Sequence, residues 1–212
     1  MKIKLPVYAF LITIISTTTV LSQNSQNYSY KSQKEFIHPD LGKVYLGMSL
    51  KDFTKIIDLS AADAGANRFD FVSLQIPVNK KNISQIVIKA KGIPYELQKE
   101  IIRREDVMQP DGYTIPVYRI DASKIPDDAF VYQISVFFNT GYDLKQYAFK
   151  TFGEKSGTHH NPADDYKFYD SQWTKKTADG LNWLIRVFYN EEPLTLQLIG
   201  RIPGTEWDPN DW

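Results

Sequence analysis

The chain has 212 residues, with 25 Lys and Arg balanced against 25 Asp and Glu, three His and no Cys. A hydrophobic share of 42% beside 24% charged residues excludes a disordered chain and a multi-span membrane protein, and zero net charge leaves no basic footprint for nucleic acid. The absence of Cys excludes thiol nucleophiles, Cys-ligated zinc, iron–sulfur clusters, disulfides and acylated lipid anchors together.

Residues 1–22 carry Lys2 and Lys4, an apolar run over 5–21 and Val20-Leu21-Ser22 ahead of a polar stretch, the three regions of a secretory signal peptide. That run also reaches the lower length limit of a spanning helix, but Pro6 and the hydroxyl side chains of 16–19 weaken it as an anchor. Its removal leaves 190 residues with 23 cations against 25 carboxylates, a balance of −2. The expected mature protein is soluble, exported to a periplasm or the exterior, without a membrane span, and held by packing alone.

Residues 23–35, rich in Ser, Gln, Asn and Tyr, form an expected flexible spacer. A first α+β unit spans 36–122. It opens with a short strand at 43–46 ended by Gly47. Ser49 then caps a short helix with Asp52 three residues on, and Leu50, Phe53, Ile56 and Ile57 share a face. Strands follow at 68–78 and 83–91. The register of Leu97, Ile101 and Arg104 predicts an amphipathic helix over 94–104, and Pro116 confines a strand at 113–120 to an edge.

A second unit spans 123–203. Phe130, Tyr132, Ile134, Val136 and Phe138 alternate as one buried strand face. Asp143 caps a helix with Gln146 in its first turn, Leu144, Tyr147, Ala148 and Thr151 as its inner stripe and Gly153 as its stop. A solvated loop is expected around Gly157, Asn161 and Pro162. Strands follow at 165–175, 181–189 and 193–199, with Asp179-Gly180 as a hairpin signal. Residues 204–212 form an acidic tail, expected to cover an edge strand or to present its indoles to a partner.

The halves echo each other, since Ser49-Leu50-Lys51-Asp52-Phe53 and Asp143-Leu144-Lys145-Gln146-Tyr147 repeat cap, Leu, Lys, polar and aromatic in order. The expected fold is therefore α+β, two tandem helix-plus-antiparallel-sheet units, each a meander, open to union in one continuous sheet. The segment Gly42-Lys43-Val44-Tyr45-Leu46-Gly47-Met48-Ser49-Leu50-Lys51-Asp52-Phe53 resembles the Gly-Met-Ser turn and helix start of the small outer-membrane assembly lipoproteins. The repeated helix and sheet are similar to the β-lactamase-inhibitor-protein-like α+β module. Both resemblances imply a small binding or assembly module without catalysis. The chain departs from the lipoproteins in its greater length and in lacking the Cys that would carry a lipid.

Candidate chemistry is sparse. His159-His160 with Asp164-Asp165 has metal-ligand residue types, but adjacent His residues on a regular strand point apart, so no metal and no cofactor is expected. His38 and Asp40 are expected in a surface turn. Asp127-Asp128 and Glu191-Glu192 fall at expected turns, and no nucleophile elbow, zincin helix or phosphate loop is present. Aromatic residues, at 14%, are the positive feature. Tyr169, Trp173, Trp183 and Arg186 form an expected platform on a sheet face, joined by Trp207 and Trp212 of the tail, with core filling as the competing use of the two strand tryptophans. The expected function is a non-enzymatic binding module of the inhibitor or envelope-associated type, with a protein as macromolecular partner. The alternative is a secreted hydrolase using the loop carboxylates Asp164, Asp165 or Glu191.

Overall fold

A computed structural model describes residues 38–66, 68, 70–161, 166–176 and 182–200. The signal-peptide and spacer segments and the tail with Trp207 and Trp212 lie outside the described residues, as do Asp164 and Asp165. Among the described residues, no helix is long and apolar enough to cross a membrane.

Among the described residues the molecule is α+β, with three α-helices and a dominant antiparallel sheet. In chain order the elements are α1 (Leu50–Thr54), β1 (Asp63–Gly65), β2 (Phe71–Pro77), β3 (Ile83–Lys91), α2 (Tyr95–Ile101), β4 (Ile102–Met108) and β5 (Thr114–Ile120). Then come β6 (Phe130–Phe138), α3 (Leu144–Phe152), β7 (Gly157–Asn161), β8 (Tyr166–Lys176), β9 (Asn182–Phe188) and β10 (Thr195–Gly200). Eight strands join in the order β1-β2-β3-β6-β10-β9-β8-β7, all pairs antiparallel, and β4-β5 forms a separate two-stranded ribbon.

Both expected helix starts are capped as the sequence demands. The Ser49 hydroxyl accepts the Asp52 amide at 3.0 Å, and the Asp143 carboxylate accepts the Gln146 amide at 2.9 Å. Two residues before each cap stands a glycine of positive φ, Gly47 at 77° and Gly141 at 85°, the left-handed turn that aims the chain into the helix. Leu50 and Leu144, directly after the caps, are both buried.

The core follows from strand period. Side chains one register apart across the sheet form rows, and the row Ala64, Leu74, Ile88, Ile134, Leu198, Ile185 and Trp173 runs through seven strands with every member buried. Leu50 and Phe53 of α1 and Leu144, Ala148 and Phe152 of α3 close over the same cluster. Each such Leu or Ile contributes about 1.5–3 kcal/mol by leaving water.

Four sequence expectations change. The segment at 43–46 buries Val44 and Leu46 without forming a ladder; pairing with β6 is restricted to the Ser49–Phe130 bridge and neighbouring amides, such as Gly47 donating to Val131 at 2.7 Å. The helix expected to 104 ends at Ile101, and β4 begins at once. β4 is exposed on both faces apart from Ile102 and Val107, so alternation could not reveal it; a Gln109–Gly112 turn and the partner strand β5 make it a strand. The expected loop at His159 and His160 is the edge strand β7.

Candidate functional site

The two strand tryptophans and Arg186 do not share a face. Trp183, Ile185 and Val187 point into the core, so Arg186 projects from the opposite side of β9. Trp173 and Trp183 are each only 1% exposed. The Trp173 indole donates to the Gly153 carbonyl at 3.0 Å and packs against Phe149 and Phe152 of α3. The expected platform is therefore corrected: both indoles fill the space between sheet and helix, where a large ring is the cheapest way to occupy a thin layer, and neither can meet a partner.

Tyr169 and Arg186 do come together on the far side. The guanidinium lies over the Tyr169 ring at 5.1 Å, and its Nε donates to the Gln172 side chain at 3.0 Å. Burial draws the Arg186 pKa below its ordinary value, opposed by Tyr169, yet a guanidinium stays charged at neutral pH.

The rows on this side are amphipathic. One runs Gly65, Ser73, Lys89, Gln133, Ile199, Leu184 and Thr174, and the next Asp63, Gln75, Val87, Ser135, Gln197, Arg186 and Gln172. Gln197 donates to the Ser135 hydroxyl at 3.3 Å. The Lys89 ammonium lies 5.5 Å from the Phe71 ring centre, and burial lowers its pKa. Phe71 and Tyr132 meet edge to face at 5.9 Å, and these two rings with Leu184 are buried outside the main core cluster.

The centre of this face carries only positive charge, with Asp63 at its edge in β1. The central strands β3, β6, β10 and β9 contain no Asp or Glu, and their cations are Lys89, Lys91 and Arg186. Lys91 lies 3.8 Å from Asp70. Among the described residues neither Lys89 nor Arg186 has a carboxylate within ion-pair distance. Two half-buried cations without counter-ions, flanked by amides and aromatic rings, are suited to capture an anionic segment by charge-assisted hydrogen bonds. Lys89 escaped the sequence reading, although the absence of acids from its strand was visible.

The remaining candidates separate. Glu191 borders a cavity of about 40 Å³ with Tyr169, Asp170 and Phe188, room for about one water rather than a substrate. Asp170 is occupied in capping the turn, accepting the Tyr189 amide at 2.7 Å and the Asn190 amide at 2.9 Å. Asp127 is bound to Lys51, which holds its carboxyl below the usual range. Among the described residues no cluster of three metal-ligating side chains occurs.

His38, expected in a surface turn, is 4% exposed. Its Nδ1 accepts the Asp40 amide at 3.2 Å, which leaves the proton on Nε2, 2.8 Å from the Tyr142 hydroxyl. The rings of Phe138, Tyr142 and Tyr147 surround it. Desolvation lowers its pKa despite Asp40, and burial pushes the Tyr142 hydroxyl up to about 12. This is a structural histidine joining the chain's entry to α3.

No protein-family model, curated protein or solved structure matches this chain.

Proposed function

We propose that the chain is an exported, non-enzymatic binding protein of two tandem helix-plus-antiparallel-sheet units, which engages a protein partner across the open face of its sheet. The tandem reading draws support from strand order if the boundary expected at 122 is moved past β6, the strand that the sequence placed in the second unit. Grouping α1-β1-β2-β3-β6 and α3-β7-β8-β9-β10 makes each unit a helix followed by four strands, with the fourth strands β6 and β10 paired at the centre. The order along the sheet is then palindromic, and α2-β4-β5 is an insertion before β6. The Gly-x-cap-Leu-Lys start common to both helices agrees with this grouping. It is also the arrangement implied by the resemblance to the β-lactamase-inhibitor-protein-like module.

The observation that carries the binding reading is the pair Lys89 and Arg186, held half-buried on central strands that contain no Asp or Glu, with no carboxylate within ion-pair distance among the described residues. Leaving such cations partly desolvated costs stability unless another group compensates. Export rests on the 1–22 pattern. Affinity capture from the native envelope or secretome tests the function: the wild-type chain retains a protein partner that the Lys89→Ala/Arg186→Ala double variant loses while melting normally. Turnover of a glycan, peptide or ester substrate that disappears in Glu191→Gln would sink this reading and favour a hydrolase.

A further inference from the structure

The ribbon β4-β5 has one closed edge and one open edge. On the β5 side, Asp63 accepts the Tyr118 amide at 2.8 Å, Arg119 donates to the Ala62 carbonyl at 2.8 Å, and Pro116 has no amide to offer. On the β4 side no strand pairs with the ribbon among the described residues. The parity of the ladder follows from its two ends, where the Gln109 amide donates to the Tyr113 carbonyl at 2.6 Å and the Asp121 amide to the Ile101 carbonyl at 2.7 Å. Odd-numbered residues of β4 therefore turn their backbone groups toward β5, and even-numbered ones turn them outward. The Ile102 amide is taken by the Gln98 carbonyl, so the open edge offers the amides of Arg104, Asp106 and Met108 and the carbonyls of these three and Ile102.

The order of side chains along this edge is its own complement. An antiparallel second copy with the two-fold axis at Glu105 sets Arg104 against Asp106 and Ile102 against Met108, each pair twice. Arg104 lies 2.9 Å from Asp106 of its own strand, so the second copy completes a square of four charges in which every neighbour, along or across the strands, is of opposite sign. At the axis Glu105 meets its own copy, and each carboxylate is accompanied by Arg119 at 3.5 Å. Moving the axis by one residue either way opposes Arg104 to Arg104 or Asp106 to Asp106. Hydrophobic exposure is concentrated on the same ribbon: of six exposed large hydrophobic side chains among the described residues, Met108, Tyr113, Ile115 and Tyr118 lie on β4, β5 or their turn. Met108, at 74% exposure, gains cover from Ile102 of the second copy. We propose that β4 pairs with β4 of a second copy about Glu105, joining two ribbons in a four-stranded antiparallel sheet. A ladder of seven residues is smaller than a standard interface, so the association is weak and depends on concentration. This inference is independent of the partner-binding reading, which concerns the face of Lys89 and Arg186.

Sedimentation of the chain from about 10 µM to about 1 mM tests the pairing, and the average mass should rise toward that of two chains. Arg104→Asp and Asp106→Arg, each melting as the wild type does, should weaken association by at least about tenfold, since each sets two like-charge pairs across the axis. Mixed in equal amounts, the two variants should associate again as a pair containing one of each, because every opposed pair is then an Asp with an Arg. The absence of native Cys allows the register to be read from single thiols. Residue 105 and its copy lie about 4.5 Å apart between Cα atoms in this register, so Glu105→Cys should oxidise to a linked dimer. Arg103→Cys, on the same face but about 14 Å from its copy, should not. A monomer throughout the concentration range, a dimer that Arg104→Asp leaves intact, or equal linking by the two thiols would overturn the proposal.

Discussion

The two faces of the eight-stranded sheet are built from alternate residues of the same strands, yet they obey different rules. On the helix side, rows of Leu, Ile and Val end on Trp173 and are sealed by α1 and α3. On the other side, amides and hydroxyls alternate with isolated aliphatic groups, and Lys89 and Arg186 sit beside rings. A helix-covered face gains stability from each side chain it removes from water. A face that exchanges water for a ligand must keep polar groups whose hydrogen bonds can be satisfied either way. Trp183 and Arg186, three residues apart on β9, mark the contrast within one strand.

Substitution on the helix side should have the largest effect. Trp173→Ala removes a buried ring together with its bond to Gly153, and should cost about 3–5 kcal/mol in denaturant unfolding. A cost below about 1 kcal/mol would mean that the layer under α3 is not close-packed, and the contrast between the faces would fail.

Acid should act next, through His38. Its folded pKa is lowered, so below about pH 6.5 the unfolded chain takes up a proton that the folded chain refuses. Stability is therefore full above that pH and declines as pH falls through it. Asp40, Tyr142 and Tyr147 are the titratable groups facing the ring; the two tyrosines have raised pKa values and stay neutral throughout, and carboxylates such as Asp52 and Asp127, with lowered values, act only at lower pH. The melting temperature of the wild type should drop from pH 7.5 to 5.5, and His38→Gln should flatten that slope while lowering the neutral value. An equal slope in both chains would assign the acid sensitivity elsewhere.

The caps come third. Ser49→Ala and Asp143→Ala should each cost about 1 kcal/mol, and the double variant should be additive, since the two helices share no hydrogen-bond partner. Smallest of all is Arg186→Ala, which should change stability by about 0.5 kcal/mol or less while weakening capture of a partner. If this variant unfolds as readily as Trp173→Ala, the open face is a second core rather than a binding surface.

Much of the frame was legible from local chemistry. The alternation of β6, β9 and β10, the caps at Ser49 and Asp143 and the stop at Gly153 stand where the residues require them. β4 was illegible because its neighbours leave both its faces wet, which removes the two-residue period. β7 was hidden because Gly157, His159 and His160 have loop-like composition, and pairing with β8 decides their conformation. His38 looked like a turn residue because its burial comes from rings about a hundred positions away. The platform was half legible: Tyr169 and Arg186 do meet, but Trp183 has the opposite strand parity to Arg186, and Trp173 stands across from Ile185 of the core.

By itself the sequence determined the absence of thiol chemistry, the neutral charge, the positions of strands with one dry face and the starts of the helices α1 and α3. These depend on composition and on neighbours a few residues away, and such interactions are the same in any fold. Only the tertiary structure decided which face receives the helices, that β6 meets β10 at the centre, and that Lys89 and Arg186 share one surface with no carboxylate within ion-pair distance among the described residues. Strand period states that two faces differ but not which one is covered, and a cation lacks a counter-ion only with respect to strands that the chain brings beside it from far away.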